Sequence, residues 1–416
     1  MGNFKKINYQ RKIIKAIAIL LAILTSPLQL IAFLIIRILK PFIIIRIGWI
    51  SSTRIGHMAA NMELFFILKD IQDQNSSFRY LDVWCCDQEY ICNQQLLKML
   101  KKKVLIFPRW SLTVLAHLNL AIPGGLVHHI SDNNTDRDIY NMLDRTSPNL
   151  YFTPEEEEKG CQMMRKLGIP INSKIICLIV RDAEYLNYFY SANDWSYHNH
   201  RDSNIQDYRL AIETLANRGY YIIRMGAKVR EPLNISHPRV IDYASNGMRT
   251  EFMDIYLGAK CFFAISTSTG WDAIPYIFRR PIAYVNMVPL GILFTFSPKF
   301  IAITKHHISK LDGRELTMKE IFSRNVGFCT SSYEFNDKGI ELVDNTPEEI
   351  RDLVVEMAER LEGVFQSKPE DKYLQSTFRR IFPKNAKDAK GIRLHGKIYS
   401  HYGSIFLRNN NWWLNK

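Results

Sequence analysis

Phe262-Phe263-Ala264-Ile265-Ser266-Thr267-Ser268-Thr269-Gly270-Trp271-Asp272-Ala273-Ile274-Pro275 is the stretch on which the reading of this chain turns. An apolar strand runs into four consecutive hydroxyls and a glycine, and a helix follows. Backbone N–H groups at a helix start are unpaired and sit at the positive end of the helix dipole. Hydroxyl side chains, with a glycine that lets the backbone approach closely, suit phosphate oxygens at such a junction. A plain N-cap needs only one Ser or Thr. Four in succession, with Asp272 in the first turn, exceed that need and mark Ser266, Thr267, Ser268, Thr269, Gly270 and Asp272 as candidates for holding a phosphate.

Outward from this junction the alternation of apolar runs and helical periodicity repeats. Residues 174–180 read as a buried strand, followed by a helix over 207–218, a strand over 220–225, a short strand at 240–241, a helix over 251–257 and the strand 261–265. Residues 281–286 add a strand, and Thr346-Pro347-Glu348-Glu349 caps a last helix reaching about Leu361. This is a doubly wound parallel α/β domain. Upstream, strands over 42–50, 80–84 and 104–107 alternate with helices over 58–70 and 88–101, a first domain of the same α/β class. Thr153-Pro154-Glu155-Glu156 starts a helix with Thr as N-cap and Pro at the first helical position. The helix ends at Gly168-Ile169-Pro170, the expected interdomain link. The expected division is therefore 1–41 as a membrane anchor, 42–168 and 169–365 as two Rossmann-like domains, and 366–416 as a basic, aromatic tail.

The 416 residues are 47% hydrophobic and 23% charged, the balance of a folded protein. The net charge of +13 is concentrated at the ends. Residues 1–54 carry nine Lys/Arg and no acid, and residues 372–416 carry ten against one acid, +9 in each case, which leaves −5 for the body. Basic ends on a mildly acidic body point to an anionic membrane surface rather than to nucleic acid. The 21 residues from Ala16 to Ile36 lack a charged side chain, enough to cross a bilayer core of about 30 Å. Thr25-Ser26-Pro27 interrupts the run and both flanks are basic, so a re-entrant or in-plane helix-break-helix competes with a bitopic span. The aromatic tail is expected either to dock at the lipid interface or to return onto the first domain. Seven cysteines without a Cys-x-x-Cys read as reduced thiols, buried at 85, 86, 177 and 261. No metal site is expected.

Ligands of parallel sheets bind beyond the carboxyl ends of the strands. Arg181 and Asp182 follow one such strand and Arg224 another, and guanidinium forks match a diphosphate. An Arg–Asp pair at a strand end is equally read as a plain salt bridge. The loop Tyr197-His198-Asn199-His200-Arg201-Asp202 gathers His200, Arg201 and Asp202 ahead of a helix, either reaching a ligand or lying solvated. His57 follows Gly56 at a strand-to-helix turn, where an imidazole serves as a general base or as a cap. No Walker A loop, Gly-x-Gly-x-x-Gly turn or Gly-x-Ser-x-Gly elbow occurs, which removes the usual support for nucleotide hydrolysis, nicotinamide chemistry and α/β-hydrolase action.

Arg54-Ile-Gly-His57, Ile179-Val-Arg181-Asp182, His200-Arg201-Asp202-Ser-Asn204, Arg224-Met-Gly226, Val240-Ile-Asp242-Tyr243, Ser266 to Gly270 and Arg279-Arg280-Pro281 together resemble the blocks of a bacterial family of two-domain (GT-B type) glycosyltransferases associated with surface polysaccharide synthesis. The resemblance covers about residues 45–365. It implies two Rossmann-like domains facing a crevice, with a nucleotide-sugar donor on the C-terminal domain, an acceptor on the N-terminal domain, and neither metal nor cofactor. The expected transfer is inverting. The expected activity is transfer of a sugar to a lipid-linked or growing polysaccharide at the cytoplasmic face of the cell membrane. The alternative is a noncatalytic membrane-bound protein that binds a nucleotide or organises polysaccharide assembly.

Overall fold

The computed structural model describes residues 2–76, 78–87, 91–131 and 136–414, with backbone alone for 2–12. The chain divides into two compact units, residues 1–136 with 149–151, and 137–148 with 152–416.

The first unit opens with helices α1 (Gly2–Leu24) and α2 (Ser26–Leu39), followed by β1 (Ile44–Ile50), α3 (Ile55–Asn75), β2 (Tyr80–Cys86), α4 (Gln94–Lys101), β3 (Leu105–Pro108) and α5 (Thr113–Ala121). The expected start of α4 at 88–90 lies outside the described residues. Parallel strands β1, β2 and β3 pair in that order. Strand side chains alternate between faces, and both faces are covered. Ile47 and Cys85 join Phe33 and Ile36 of α2 and Leu115 and Ala116 of α5 in one core cluster. On the other face Trp84 meets Phe65 of α3 edge-on at 4.7 Å. The separate 1–41 anchor is thus corrected: α2 is a structural layer of this unit. The break at Thr25 is real, with the helices bent by 57°, and among the described residues no single helix is long and apolar enough to cross a membrane.

The second unit contains α6 (Pro154–Lys166), β4 (Ile175–Ile179), α7 (Glu184–Phe189), α8 (Arg209–Asn217), β5 (Tyr221–Arg224), β6 (Val240–Ile241), α9 (Glu251–Lys260), β7 (Phe263–Ser266), α10 (Ala273–Ile277), β8 (Ile282–Tyr284) and β9 (Phe300–Ala302). An antiparallel pair, β10 (His306–Ser309) and β11 (Ile340–Val343), encloses α11 (Met318–Ser323) and α12 (Ser332–Asp337). Helices α13 (Pro347–Glu362) and α14 (Pro369–Ile381), β12 (His401–Tyr402) and α15 (Ser404–Asn409) close the chain. The sheet is parallel in the order β12-β9-β8-β7-β4-β5-β6. The order runs outward from β4 to β6 and then reverses at β7, so right-handed crossovers put α8 and α9 on opposite faces. The buried thiols fit this plan, with Cys85, Cys86, Cys177 and Cys261 at most 1% exposed.

Two expected boundaries move. Helix α6 carries the expected Thr153 N-cap, completed by Glu156 as a capping box, yet it belongs to the second unit. At Gly160 a Cβ would lie 2.2 Å from the Tyr256 ring, so a side chain there would push α6 off α9. Nor is the tail a separate segment. Strand β12 pairs with β9 at the edge of the second unit's sheet, and Tyr402 and Trp413 are buried.

Candidate functional site

The carboxyl ends of β4 and β5 open onto a cleft of about 390 Å³ in the second unit. It lies beside the β4/β7 junction where the strand order reverses, the place at which doubly wound sheets bind ligands. Asp182, Asp202 and Arg224, all expected at the site, line it, together with Ser203, Asn204, Arg230, Glu231 and Asp344.

Most of these side chains are tied. Arg224 is 2% exposed, donates to the Glu231 carbonyl at 2.6 Å and lies 3.6 Å from Asp242. Arg181 lies 3.3 Å from the Asp202 carboxylate, an ion pair without hydrogen-bond alignment. Burial raises Asp202 above the ordinary carboxylate range, and Arg181 only partly offsets it. Asp182 accepts the Glu184 N–H and the Arg230 N–H, each at 2.9 Å, and so clamps the loop after β5 to the end of β4. Lys305, 3% exposed, donates to the Asp202 carbonyl and to Asp344 Oδ1, both at 2.6 Å. The Arg230 guanidinium differs from these. It is exposed on the cleft and makes no hydrogen bond or ion pair among the described residues.

In the hydroxyl-rich turn the side chains of Ser266, Thr267, Thr269 and Asp272 bond within the turn and to the end of β4. Asp272, 1% exposed, accepts Ser266 Oγ at 2.5 Å, Thr269 N at 2.8 Å and Thr269 Oγ1 at 3.1 Å. Thr267 Oγ1 accepts the Arg181 N–H, Ser266 Oγ accepts Ser268 N, and Arg201 donates to the Ser268 carbonyl. Gly270 begins a single 3₁₀ turn ahead of the five-residue α10. The carboxylate expected in the first turn thus occupies the anion position. Burial pushes that carboxyl up to about 7, against the pull of its hydrogen bonds.

His200 is also corrected. It is 9% exposed, turned to the Tyr197 carbonyl at 3.1 Å and packed on Phe335. Burial lowers it to about 4, so it is neutral. In the first unit His57 sits on the first turn of α3, half-buried, with Nδ1 enclosed and making no hydrogen bond among the described residues.

The sequence reading passed over Arg230, Lys305 and Asp344. Arg230 ends a glycine-containing basic loop after a strand, and Asp344 stands between β11 and the Thr346 cap. Both were open to the strand-end argument; buried Lys305 was not.

No protein-family profile and no curated protein matches the chain. Solved structures similar to it include the glycosyl transferase family 9 protein from Veillonella parvula, at 12% identity and TM-score 0.45 over 76% of this chain and 96% of that one. The E. coli ADP-heptose lps heptosyltransferase II aligns at 16% identity and TM-score 0.37 over 62% and 90%. E. coli heptosyltransferase WaaC with ADP-2-deoxy-2-fluoro heptose aligns at 13% and 0.31 over 62% and 93%.

Proposed function

We propose that the chain is a glycosyltransferase that takes a sugar from a nucleoside-diphosphate sugar and passes it to a lipid-linked or growing glycan acceptor. The observation that carries this reading is the strand-end cleft, where the unpaired guanidinium of Arg230 stands with the carboxylates of Asp182, Asp202 and Asp344. A diphosphate needs fixed cations, and sugar hydroxyls need acceptors; this wall supplies both. In the transfer step negative charge develops on the departing diphosphate, and Arg230, with Arg224 behind it, stabilises that charge without a metal or cofactor. His57 is the proposed base for the acceptor hydroxyl, consistent with inversion. The basic, apolar residues 1–41 suit work at the cytoplasmic face of the cell membrane.

Thermal unfolding of the full chain against a panel of nucleoside diphosphates and nucleotide sugars tests the donor reading. A ligand at about 100 times its dissociation constant stabilises by about 2.7 kcal/mol. Arg230→Ala, by weakening binding about tenfold, should cut the shift to about half, and His57→Ala should keep it while losing transfer to membrane acceptors. If no nucleotide shifts the transition, the donor reading is wrong. A shift without consumption of any nucleotide sugar in the presence of membranes favours the noncatalytic scaffold.

A further inference from the structure

The membrane part of the proposed function leaves open how the chain meets the bilayer. Resting on that part, we infer that the first unit seats on a single leaflet of an anionic bilayer through a surface of its own fold: the apolar half of α1, the outer face of α2 and the loop after α5.

Helix α2 has two apolar faces with different destinations. Its inner face, Gln29, Phe33 and Ile36, is buried. The Gln29 carboxamide accepts Val114 N at 2.9 Å and Leu115 N at 3.2 Å and donates to the Trp110 carbonyl at 3.2 Å. It thereby satisfies the start of α5 and fastens α2 to it. A helix held this way has no freedom to be surrounded by lipid, and its 14 residues span only about 21 Å at about 1.5 Å per residue. Its outer face nevertheless leaves Leu30, Ile31, Leu34, Ile35 and Ile38 between 48% and 72% exposed. Five large side chains in one stripe form a contiguous patch that a water-facing surface rarely carries.

The loop after α5 continues the patch. Leu120 at the end of α5 and Ile122, Leu126 and Val127 of the loop are 39–70% exposed. Arg37 at the end of α2 donates to the carbonyls of Pro123 at 3.0 Å and Ile122 at 3.4 Å, which sets this loop flush with the helix. Charge names the occupant. Residues 1–62 contain nine Lys/Arg and no acid, and residues 90–131 contain five and again no acid. Both segments that build the apolar surface thus carry only positive charge. A leaflet with anionic head groups matches an apolar stripe built from segments of net positive charge, whereas a second copy of the chain would bring like charges together.

The full chain, synthesised in a cell-free reaction with vesicles of neutral and anionic phospholipid, provides the test by flotation. Leu126→Asp, at a side chain 70% exposed, is compared with Leu311→Asp, at one 95% exposed in the second unit. Leu126→Asp should weaken vesicle binding about tenfold, and Leu311→Asp should leave it unchanged, with both melting as the wild type does. Cysteines introduced near Asn3 and Ser51 should label from the same side of the vesicle. Equal flotation of Leu126→Asp and wild type, or labelling from opposite sides, overturns the single-leaflet surface while membrane binding itself stands. Failure of the wild type to float on any vesicle overturns the membrane reading. A wild-type dimer in solution that Leu126→Asp makes monomeric overturns lipid as the occupant.

Discussion

The Ser266 hydroxyl donates to the Asp272 carboxylate at 2.5 Å, and both side chains are at most 1% exposed. A helix start that reads in the sequence as a phosphate site holds a carboxyl of its own among the hydroxyls. Ser266→Ala removes a group that donates to Asp272 and accepts from Ser268, so it should cost about 1–3 kcal/mol of stability. Nucleotide-induced thermal shifts should survive it. The carboxyl also imposes a pH dependence. Its folded pKa is raised from 3.8 to about 7, so the folded state binds the extra proton in that window and stability falls as pH rises through it. Asp272→Asn should flatten that part of the urea midpoint–pH curve; an unaltered slope would assign it to another group.

Asp182 and Arg230 should behave as one unit toward the nucleotide. The carboxylate holds the Arg230 N–H at 2.9 Å, and through it the loop that aims the guanidinium. Asp182→Ala should therefore weaken nucleoside diphosphate binding nearly as much as Arg230→Ala, by about tenfold for a lost charge-assisted contact. The double variant should be little worse than either single one, because the second change removes what the first already displaced. Strictly additive losses in titration calorimetry would mean the two residues act apart.

What the sequence made legible was local. Strand-to-helix alternation, the Thr153 and Thr346 capping boxes and the break at Thr25 each rest on residues a few positions apart, and all appear in the fold. Pairings across long separations did not show. The β12–β9 pairing joins residues about 100 positions apart through a two-residue strand with no periodicity to read. Gly160 looks like any helix glycine until Tyr256 is placed against it. At the site, residue types at strand ends located the cleft, since Asp182, Asp202 and Arg224 line it. Side-chain direction decided the rest, as where Asp272 turns back onto Ser266 and Thr269.

His306 holds two elements together through charge. Nδ1 lies 2.8 Å from Glu315 and Nε2 2.9 Å from Glu349 on α13. Burial opposes the imidazolium, but the two carboxylates outweigh it and hold the pKa up at about 10 against an ordinary 6.5. The stabilisation is fully present below the unfolded value and is lost as pH rises through the folded one. His306→Gln should be less stable than wild type by about 2–3 kcal/mol near pH 6. The gap should narrow steadily towards about pH 10. Urea denaturation across that range checks it, and a constant gap would mean the imidazole is neutral.

Adjacent tryptophans in the tail should respond unequally to truncation. Trp413 is 1% exposed, stacked on Tyr402 at 5.2 Å and edge-on to Phe406 at 5.9 Å; Trp412 is 39% exposed. The tail is tied down further by Arg408, 2.6 Å from Asp371. Trp413→Ala opens a cavity beside the last strand of the sheet and should cost about 3–5 kcal/mol. Trp412→Ala should stay within about 0.5–1 kcal/mol. Flotation on anionic vesicles separates this packing role from a lipid-docking one, because Trp prefers the interface and its loss from a docked tail would weaken binding. Packing alone predicts that Trp412→Ala floats as the wild type does and that Trp413→Ala lowers the melting temperature. Reduced flotation of Trp412→Ala at an unchanged melting temperature would return the tail to the membrane.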